Sequence, residues 1–510
     1  MNYLYVALAK LKLYMLLGYD IGSSSIKAAL VNANTGATVG VVHSPHTEMD
    51  ILAAQPGWAE QDPEVWWEHI CIATKKLLTQ TNVNPADIKA IGISYQMHGL
   101  VTVDKFKQVL RPSIIWCDSR AVEIGNAAFE RIGHEKCAEH HLNSPANFTA
   151  SKLKWIQTNE PAIYNEIDKI MLPGDYIAMR LTGEICTTIS GLSEGILWDF
   201  KQEKIAELVL DDYEIDHSLI PDIQPTFSTQ GKLTHEAAEA IGLRTDIPVT
   251  YRAGDQPNNA LSLNVLQPGE VAATGGTSGV VYGVVDKAVY DKQMRVNSFA
   301  HVNHTVDAPR IGVLLCINGA GVLYSWMRQQ VGLSDRKFSE MSQMADEVAV
   351  GAEGLRILPF GNGAERMLGN RNIGAHIYNL QLNTHTRAHL YRAGLEGIGF
   401  SFVYGMRILQ EMGLNMSAIR VGNDNLFQSK AFAETIATLT DSQIQVIETT
   451  GAVGAAKAAG VAVGVYSSIE EAMQNIHVIS TYFPDKEKGK YEVAYGDWKG
   501  YLDLVCCDSR

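Results

Sequence analysis

The stretch Leu16–Lys27, LLGYDIGSSSIK, constrains the fold of this chain more than any other. An apolar run ends in an aspartate, a glycine and three serines, and a second apolar run, IKAALVN, follows at once. Two runs of strand length around a short Gly/Ser turn read as a hairpin. Asp20, at the tip of a buried strand, offers a hard oxygen ligand of the kind Mg²⁺ takes. Gly22 lets a phosphate approach the backbone, and the hydroxyls and turn amides of Ser23, Ser24 and Ser25 can donate to it. The reading is a phosphate-handling hairpin. An ordinary tight hairpin with a polar tip fits the same residues equally well.

At 510 residues the chain exceeds the usual size of one domain, so two or more are expected. The formal charge of −14, from 42 basic and 56 acidic residues, argues against nucleic acid as a partner. It leaves room for a phosphorylated ligand, because backbone amides and a metal can bind phosphate without basic side chains. The cysteines at 71, 117, 137, 186, 316, 506 and 507 are scattered and form no C-x-x-C pair, which predicts reduced thiols and a cytoplasmic protein. Residues 1–14, MNYLYVALAKLKLY, are too short to span a bilayer and read as an extension outside the core fold. No later run is long and apolar enough for a transmembrane helix, so no membrane partner is expected.

The first half alternates strand and helix signals, which predicts an α/β fold. Strands are expected at Leu16–Gly22, Ile26–Asn32, Ile88–Ser94 and Ile247–Ala253, and helices at Pro63–Gln80 and Ala150–Thr158. The pattern of the opening hairpin recurs in PGEVAATGGTSGVVYGVV, which starts at Pro268. Two such hairpins suggest two related domains facing a shared cleft, at 15–262 and 263–510. Beyond them, helices are expected at Leu390–Met412 and Gln428–Thr438, with a strand ending in the loop IRVGNDN between them. Gly451–Gly460, GAVGAAKAAG, reads as a small-residue helix that packs closely.

Asp255 lies in VTYRAGDQPNNALSL, where a strand ends and Pro257 suits the first turn of a helix. A carboxylate there can accept a proton from a hydroxyl that attacks a phosphoryl group. A plain helix-capping aspartate is the alternative. His98 follows a strand, where α/β sheets place ligands, and it reads as a binding residue or as a structural one. Trp116, Asp118 and Arg120 in IIWCDSRA suit a sugar, or equally a surface salt bridge beside a core tryptophan.

Together these segments resemble the FGGY carbohydrate kinases. The landmarks run in order: DIGSSSIK at 20–27, WAEQDPEVWWEH at 58–69, GISYQMHGL at 92–100, LRPSIIWCDSR at 110–120, FTASKLKWI at 148–156 and LPGDYIAMRLTGE at 172–184. AGDQPNNA at 253–260, TGGTSGVVY at 274–282, LPFGNGAER at 358–366 and LEGIGFSF at 395–402 follow. The resemblance implies two actin-like (ribonuclease H-like) ATPase domains flanking a catalytic cleft. It implies ATP and Mg²⁺ as cofactors, a small-molecule sugar as acceptor and a homodimeric state. Within the family, the Gln-Met-His-Gly run points to the 5-hydroxyl of D-xylulose. Another ketose, a polyol or a non-catalytic sugar sensor are the alternatives.

The resemblance also implies roles. Asp255 is the general base, and Met97, His98 and Gln256 bind the sugar with it. Asp20 faces the metal. Ser23, Ser24, Ser25 and Lys27 form one phosphate site, and Gly276, Thr277 and Ser278 the other. Gly422, Asn423 and Asn425 lie against the adenosine. Three positions depart from the family pattern. Gly422-Asn-Asp-Asn425 stands where consecutive glycines are usual, Gln256-Pro257 where Asn-Ala is common, and Met367 where Thr is usual. Nothing in the sequence explains the last.

Overall fold

The computed structural model describes residues 14–332, 335–423 and 426–508. These fall into two compact units. The first holds the chain up to Ser262 together with Val302–Val306 and Thr450–Asn475. The second holds Leu263–His301, Asp307–Thr449 and the chain from Ile476 onward. Residues 1–13 of the expected extension lie outside the described residues, as does Asn425 of the expected adenosine loop.

In the first unit, β1 (Met15–Ile21), β2 (Ile26–Asn32), β3 (Thr38–Ser44), β4 (Ile88–Tyr95) and β5 (Val249–Gly254) form one sheet. Its order is β5-β4-β1-β2-β3. The first three strands are antiparallel neighbours, whereas β4 runs parallel to β1 and β5 parallel to β4. The carboxyl ends of β1, β4 and β5 therefore share one edge, which is where open α/β sheets place their chemistry.

Helix α1 (Pro63–Thr81) begins as its sequence predicts: the Asp62 side chain accepts from the Glu64 amide, and a proline opens the first turn. Its buried face carries Trp66, Ile70, Ala73 and Leu77 at helical spacing. That face meets Leu17, Tyr19 and Ile21 of β1 in one core, and the Tyr19 hydroxyl lies 2.7 Å from Thr74 Oγ1. Full burial of each large apolar side chain contributes about 1.5–3 kcal/mol. Further helices of this unit are α2 (Thr149–Asn159), α3 (Ile189–Glu194), α4 (Asp255–Ser262) and α5 (Gly451–Ala462).

Strand alternation turns Gly18 and Asp20 to the opposite face, and α5 covers it. A Cβ on Gly18 would stand 2.0 Å from the Ala452 carbonyl oxygen, and one on Gly92 of β4 would stand 2.0 Å from that of Ala455. Helix and sheet backbones touch here because small residues face glycines. Thr250 Oγ1 donates to the Ala459 carbonyl at 2.9 Å and Asn258 Nδ2 to that of Gly451 at 3.0 Å.

The second unit repeats the plan. Its strands are β6 (Glu270–Gly275), β7 (Gly279–Val285), β8 (Asn297–Ala300), β9 (Ile311–Ile317), β10 (Ala418–Gly422), β11 (Ile444–Ile447) and β12 (Val478–Tyr482). They run in the order β8-β9-β7-β6-β10-β11-β12. The antiparallel pairs β6–β7 and β7–β9 and the parallel pairs β6–β10 and β10–β11 match β1–β2, β2–β3, β1–β4 and β4–β5. The hairpin repeat legible in the sequence is thus one piece of a repeated five-strand topology. The helix Arg387–Glu411 starts one turn earlier than expected and is buried over most of its circumference. The helix expected at Gln428 runs from Lys430 to Thr440, because Leu426–Ser429 closes a turn first.

Candidate active site

Asp20 pairs with Lys27 across the opening hairpin and with Ser94 on β4. Ser94 Oγ donates to Asp20 Oδ1 at 3.1 Å, and Lys27 Nζ stands 3.6 Å from Oδ2. A Cβ on Gly451, the first residue of α5, would lie 2.8 Å from Oδ2. The carboxylate thus faces a helix N-terminus, whose dipole favours an anion. The turn closes through the Gly22 N–H and the Ser25 carbonyl at 3.2 Å. Ser24 is exposed, and Ser23 and Ser25 are partly so. The Ser23 carbonyl accepts from Gln61 Nε2 at 2.7 Å. The tip is therefore polar, open and braced from beneath.

Asp255 opens α4 directly after β5. Loss of hydration and the nearby Asp20 carboxylate push its carboxyl up to about 7. Hydrogen bonds from the backbone and side chain of Gln256, and the charge of Lys27, act the other way. A carboxyl raised to about 7 can change protonation near neutral pH.

The loop after β4 carries the predicted sugar residues. Met97 is buried, and a Cβ on Gly254 would stand 2.6 Å from its Cγ. His98 adopts φ 61°, in the left-handed region. Its Nδ1–H donates to the Glu194 carbonyl at 2.7 Å, and the ring meets Phe148 edge-on at 4.8 Å. Lys152 of α2 is fully buried and donates to the carbonyls of His98 at 2.9 Å and Ile115 at 3.0 Å. Burial pushes its ammonium down to about 7, against the pull of Asp118 and Cys117. His98 is thus fixed through both its ring and its main chain.

Trp116 is the exposed member of its trio, at 52%. Asp118 is fully buried and accepts from the Ala59 amide at 2.6 Å and from Arg120 Nε at 2.9 Å. The Arg120 guanidinium stacks 3.8 Å from the Trp58 ring and 4.7 Å from that of Trp155. The pair is an internal brace between two indoles, which corrects the reading of a surface salt bridge beside a core tryptophan. Trp116 instead reaches the hairpin, its Nε1 standing 3.4 Å from Ser23 Oγ.

In the second unit, Gly276, Thr277 and Ser278 join β6 to β7 and are exposed. The Thr277 carbonyl accepts from the Val322 amide at 2.9 Å, and a Cβ on Gly321 would stand 2.2 Å from the Gly276 oxygen. This hairpin therefore rests on the first turn of the helix Gly321–Gln330. Buried Glu365 accepts from the amides of Asn318 and Gly319 at 3.0 and 2.7 Å and fixes the approach to that helix. Gly422 ends β10 with open space where a side chain would stand, and Asn423 Oδ1 accepts from Gln428 Nε2 at 3.3 Å.

Residues 15–262 match the N-terminal domain of the FGGY family of carbohydrate kinases, and residues 271–463 match its C-terminal domain. The chain belongs to that family. It is 29% identical over 481 residues to the xylulose kinase of Escherichia coli (strain K12), covering 93% of this chain and 95% of that protein. It is 30% identical over 408 residues to the xylulose kinase of Klebsiella pneumoniae, covering 79% and 81%. The crystal structure of xylulose kinase from Rhodospirillum rubrum superposes with a TM-score of 0.86 at 25% identity, over 96% of this chain and 99% of that one. This FGGY kinase has the two-domain, actin-like α/β fold of sugar kinases and is a phosphotransferase that acts on an alcohol group, with ATP as the donor. Among the described residues, no helix is long and apolar enough to cross a membrane.

Two residues beside this kinase's predicted sugar site escaped the sequence reading. Lys152 lies within FTASKLKWI, where its neighbours Lys154 and Trp155 make it look like one more residue of an amphipathic helix. Glu194 is the single charge in SGLSEGILW, and an acid inside an apolar run is the signal that could have found it.

Proposed function

We propose that this FGGY kinase transfers the γ-phosphoryl group of ATP to the 5-hydroxyl of D-xylulose, giving D-xylulose 5-phosphate and ADP. The observation that carries the reading is the Asp255 carboxyl, which follows the carboxyl end of β5 and is raised to about 7. Similarity to a xylulose kinase over more than nine-tenths of both chains supports the choice of sugar.

In this reading Met97 and Gln256 contact the ketose, and His98, rigidly held, orients it. Asp255 takes the proton of the 5-hydroxyl as that oxygen forms its bond to the γ-phosphorus and the bond to the ADP oxygen breaks. Ser23, Ser24, Ser25 and Lys27, with Gly276, Thr277 and Ser278, bind phosphate oxygens, and Gly422, Asn423 and Asn425 bind the nucleoside.

Asp20 suits Mg²⁺. Its oxygens are hard donors, Asp255 is a second carboxylate close enough to repel it, and the cation takes one or two carboxylates plus waters and phosphates. Among the described residues there is no cluster of three or more acidic, His or Cys ligands, which suits a metal that arrives with its nucleotide. Bound at Asp20, Mg²⁺ supplies neutralisation of phosphate charge. The seven free cysteines support a reducing, cytoplasmic setting. The homodimer rests on the family resemblance, and light scattering in solution reads it.

A coupled ADP-release assay with Mg²⁺-ATP over ketoses and polyols tests the proposal. The highest kcat/KM with D-xylulose supports it. Preference for another sugar overturns the substrate, and release that is independent of sugar overturns the acceptor.

A further inference from the structure

Glu194 ends α3 and is fully buried, yet neither of its carboxyl oxygens makes a hydrogen bond of normal geometry, the Tyr95 hydroxyl and the His98 amide being the polar groups that interact with it. Buried polar groups are nearly always paired, so an orphaned carboxyl points to a partner that arrives from outside. Its position says which. A Cβ on Gly254 would stand 2.2 Å from Glu194 Oε2 and 2.6 Å from Met97 Cγ, so the carboxyl and Met97 both press on the residue that precedes Asp255. The main chain of Glu194 is tied to the same place, because its carbonyl receives the His98 ring at 2.7 Å.

We propose that the Glu194 carboxyl is a sugar-binding group, donating a hydrogen bond to an oxygen of the bound ketose between Met97 and Asp255. The inference rests on the sugar-kinase reading of this site and adds a specificity-determining residue to it.

The groups around Glu194 determine its state. Loss of hydration and then the charges of Asp255 and Asp175 hold its proton on well above the ordinary carboxyl range. Weak hydrogen-bond interactions with the Tyr95 hydroxyl and the His98 amide act the other way, neither of them of normal geometry. Arg252 is committed to Asp175 at 3.2 Å and to the Cys186 carbonyl at 2.8 Å. Glu194 is therefore a neutral acid with one O–H to give, while Asp255 remains free to ionise. Two neighbouring carboxyls with separated protonation divide the work, one donating to the sugar and the other accepting its proton.

Steady-state kinetics of the full chain test this with D-xylulose, or with whichever ketose or polyol it turns over best. Glu194→Leu should raise the sugar KM about tenfold or more, as loss of a buried hydrogen bond does, with the ATP KM within about twofold. Glu194→Gln, which keeps a neutral donor, should bring the sugar KM back to within about threefold of the unsubstituted enzyme. A sugar KM unmoved in Glu194→Leu overturns the proposal. A loss in Glu194→Gln as large as in Glu194→Leu also overturns it, because a charge rather than a donor would then be required. If the leucine variant does not fold, Glu194→Asp gives the same reading: a withdrawn carboxyl raises the sugar KM, and an unchanged KM overturns the role. Absence of sugar-dependent turnover in the unsubstituted chain instead fails the kinase reading itself, and this inference with it.

Discussion

Asp20 and Asp255 stand at one edge of the same sheet, on or just beyond two strands separated only by β4, and their carboxyls repel each other. Asp20 holds Ser94 Oγ and faces Lys27, while loss of hydration and then the Asp20 charge raise the Asp255 carboxyl to about 7. Below that pH Asp255, the proposed base, is protonated and cannot accept the sugar proton. The kcat/KM for sugar should therefore rise with pH through about 7 and level off above it. A pH–rate profile that stays flat between about 5.5 and 8 would contradict this assignment.

Replacing the proposed base separates catalysis from stability. Asp255→Asn should lower kcat by about 10²–10⁴-fold. The folded-state pKa of Asp255 is raised, so its contribution to stability is fully present below the unfolded value near 4 and is lost as pH rises through 7. A neutral amide escapes that loss. Urea unfolding should show Asp255→Asn more stable than the unsubstituted chain at pH 8, by on the order of 1–4 kcal/mol, and no more stable at pH 4. Equal stabilities at both pH values would refute the buried, repelled carboxyl.

His98 is held by Glu194, Phe148 and Lys152, so its ring has one orientation to offer. His98→Ala should raise the sugar KM about tenfold, the effect of one hydrogen bond, and leave the ATP KM in place. Equal increases in both constants would mean a general loss of structure instead.

The contact of α5 with the first sheet is open to a stability test remote from the chemistry. Gly92→Ala places a methyl group 2.0 Å from the Ala455 carbonyl oxygen, which only a backbone shift relieves. Overpacking of this kind costs about 1–3 kcal/mol. Chemical denaturation reads it, and an unaltered midpoint would contradict the seating of Gly451–Ala462 on β1 and β4.

What was legible in the sequence was local. β2 has the bounds its apolar run implies and β1 lies within a residue of its own, because Gly22 and three serines leave no other place for the turn. Asp62-Pro63 opens α1 for the same kind of reason. GAVGAAKAAG reads as a tightly packed helix, but its partner is invisible in sequence, since Gly18 and Gly92 look like ordinary strand glycines until the helix is laid on them. For Asp118 and Arg120 the sequence leaves a sugar contact and a surface salt bridge equally open, because burial of the ion pair depends on Trp58 and Trp155, which are distant in the chain. Glu194 is not legible as a site residue, because nothing near it in sequence reveals Gly254 and Met97 as its neighbours in space.

The most direct test of the account is the product formed from D-xylulose and Mg²⁺-ATP, followed by phosphorus-31 and carbon-13 NMR with the unsubstituted enzyme and with Asp255→Asn. The account predicts phosphate on the 5-oxygen in the first reaction and almost none in the second. Phosphate on another oxygen, no sugar phosphate at all, or undiminished product from Asp255→Asn would contradict it.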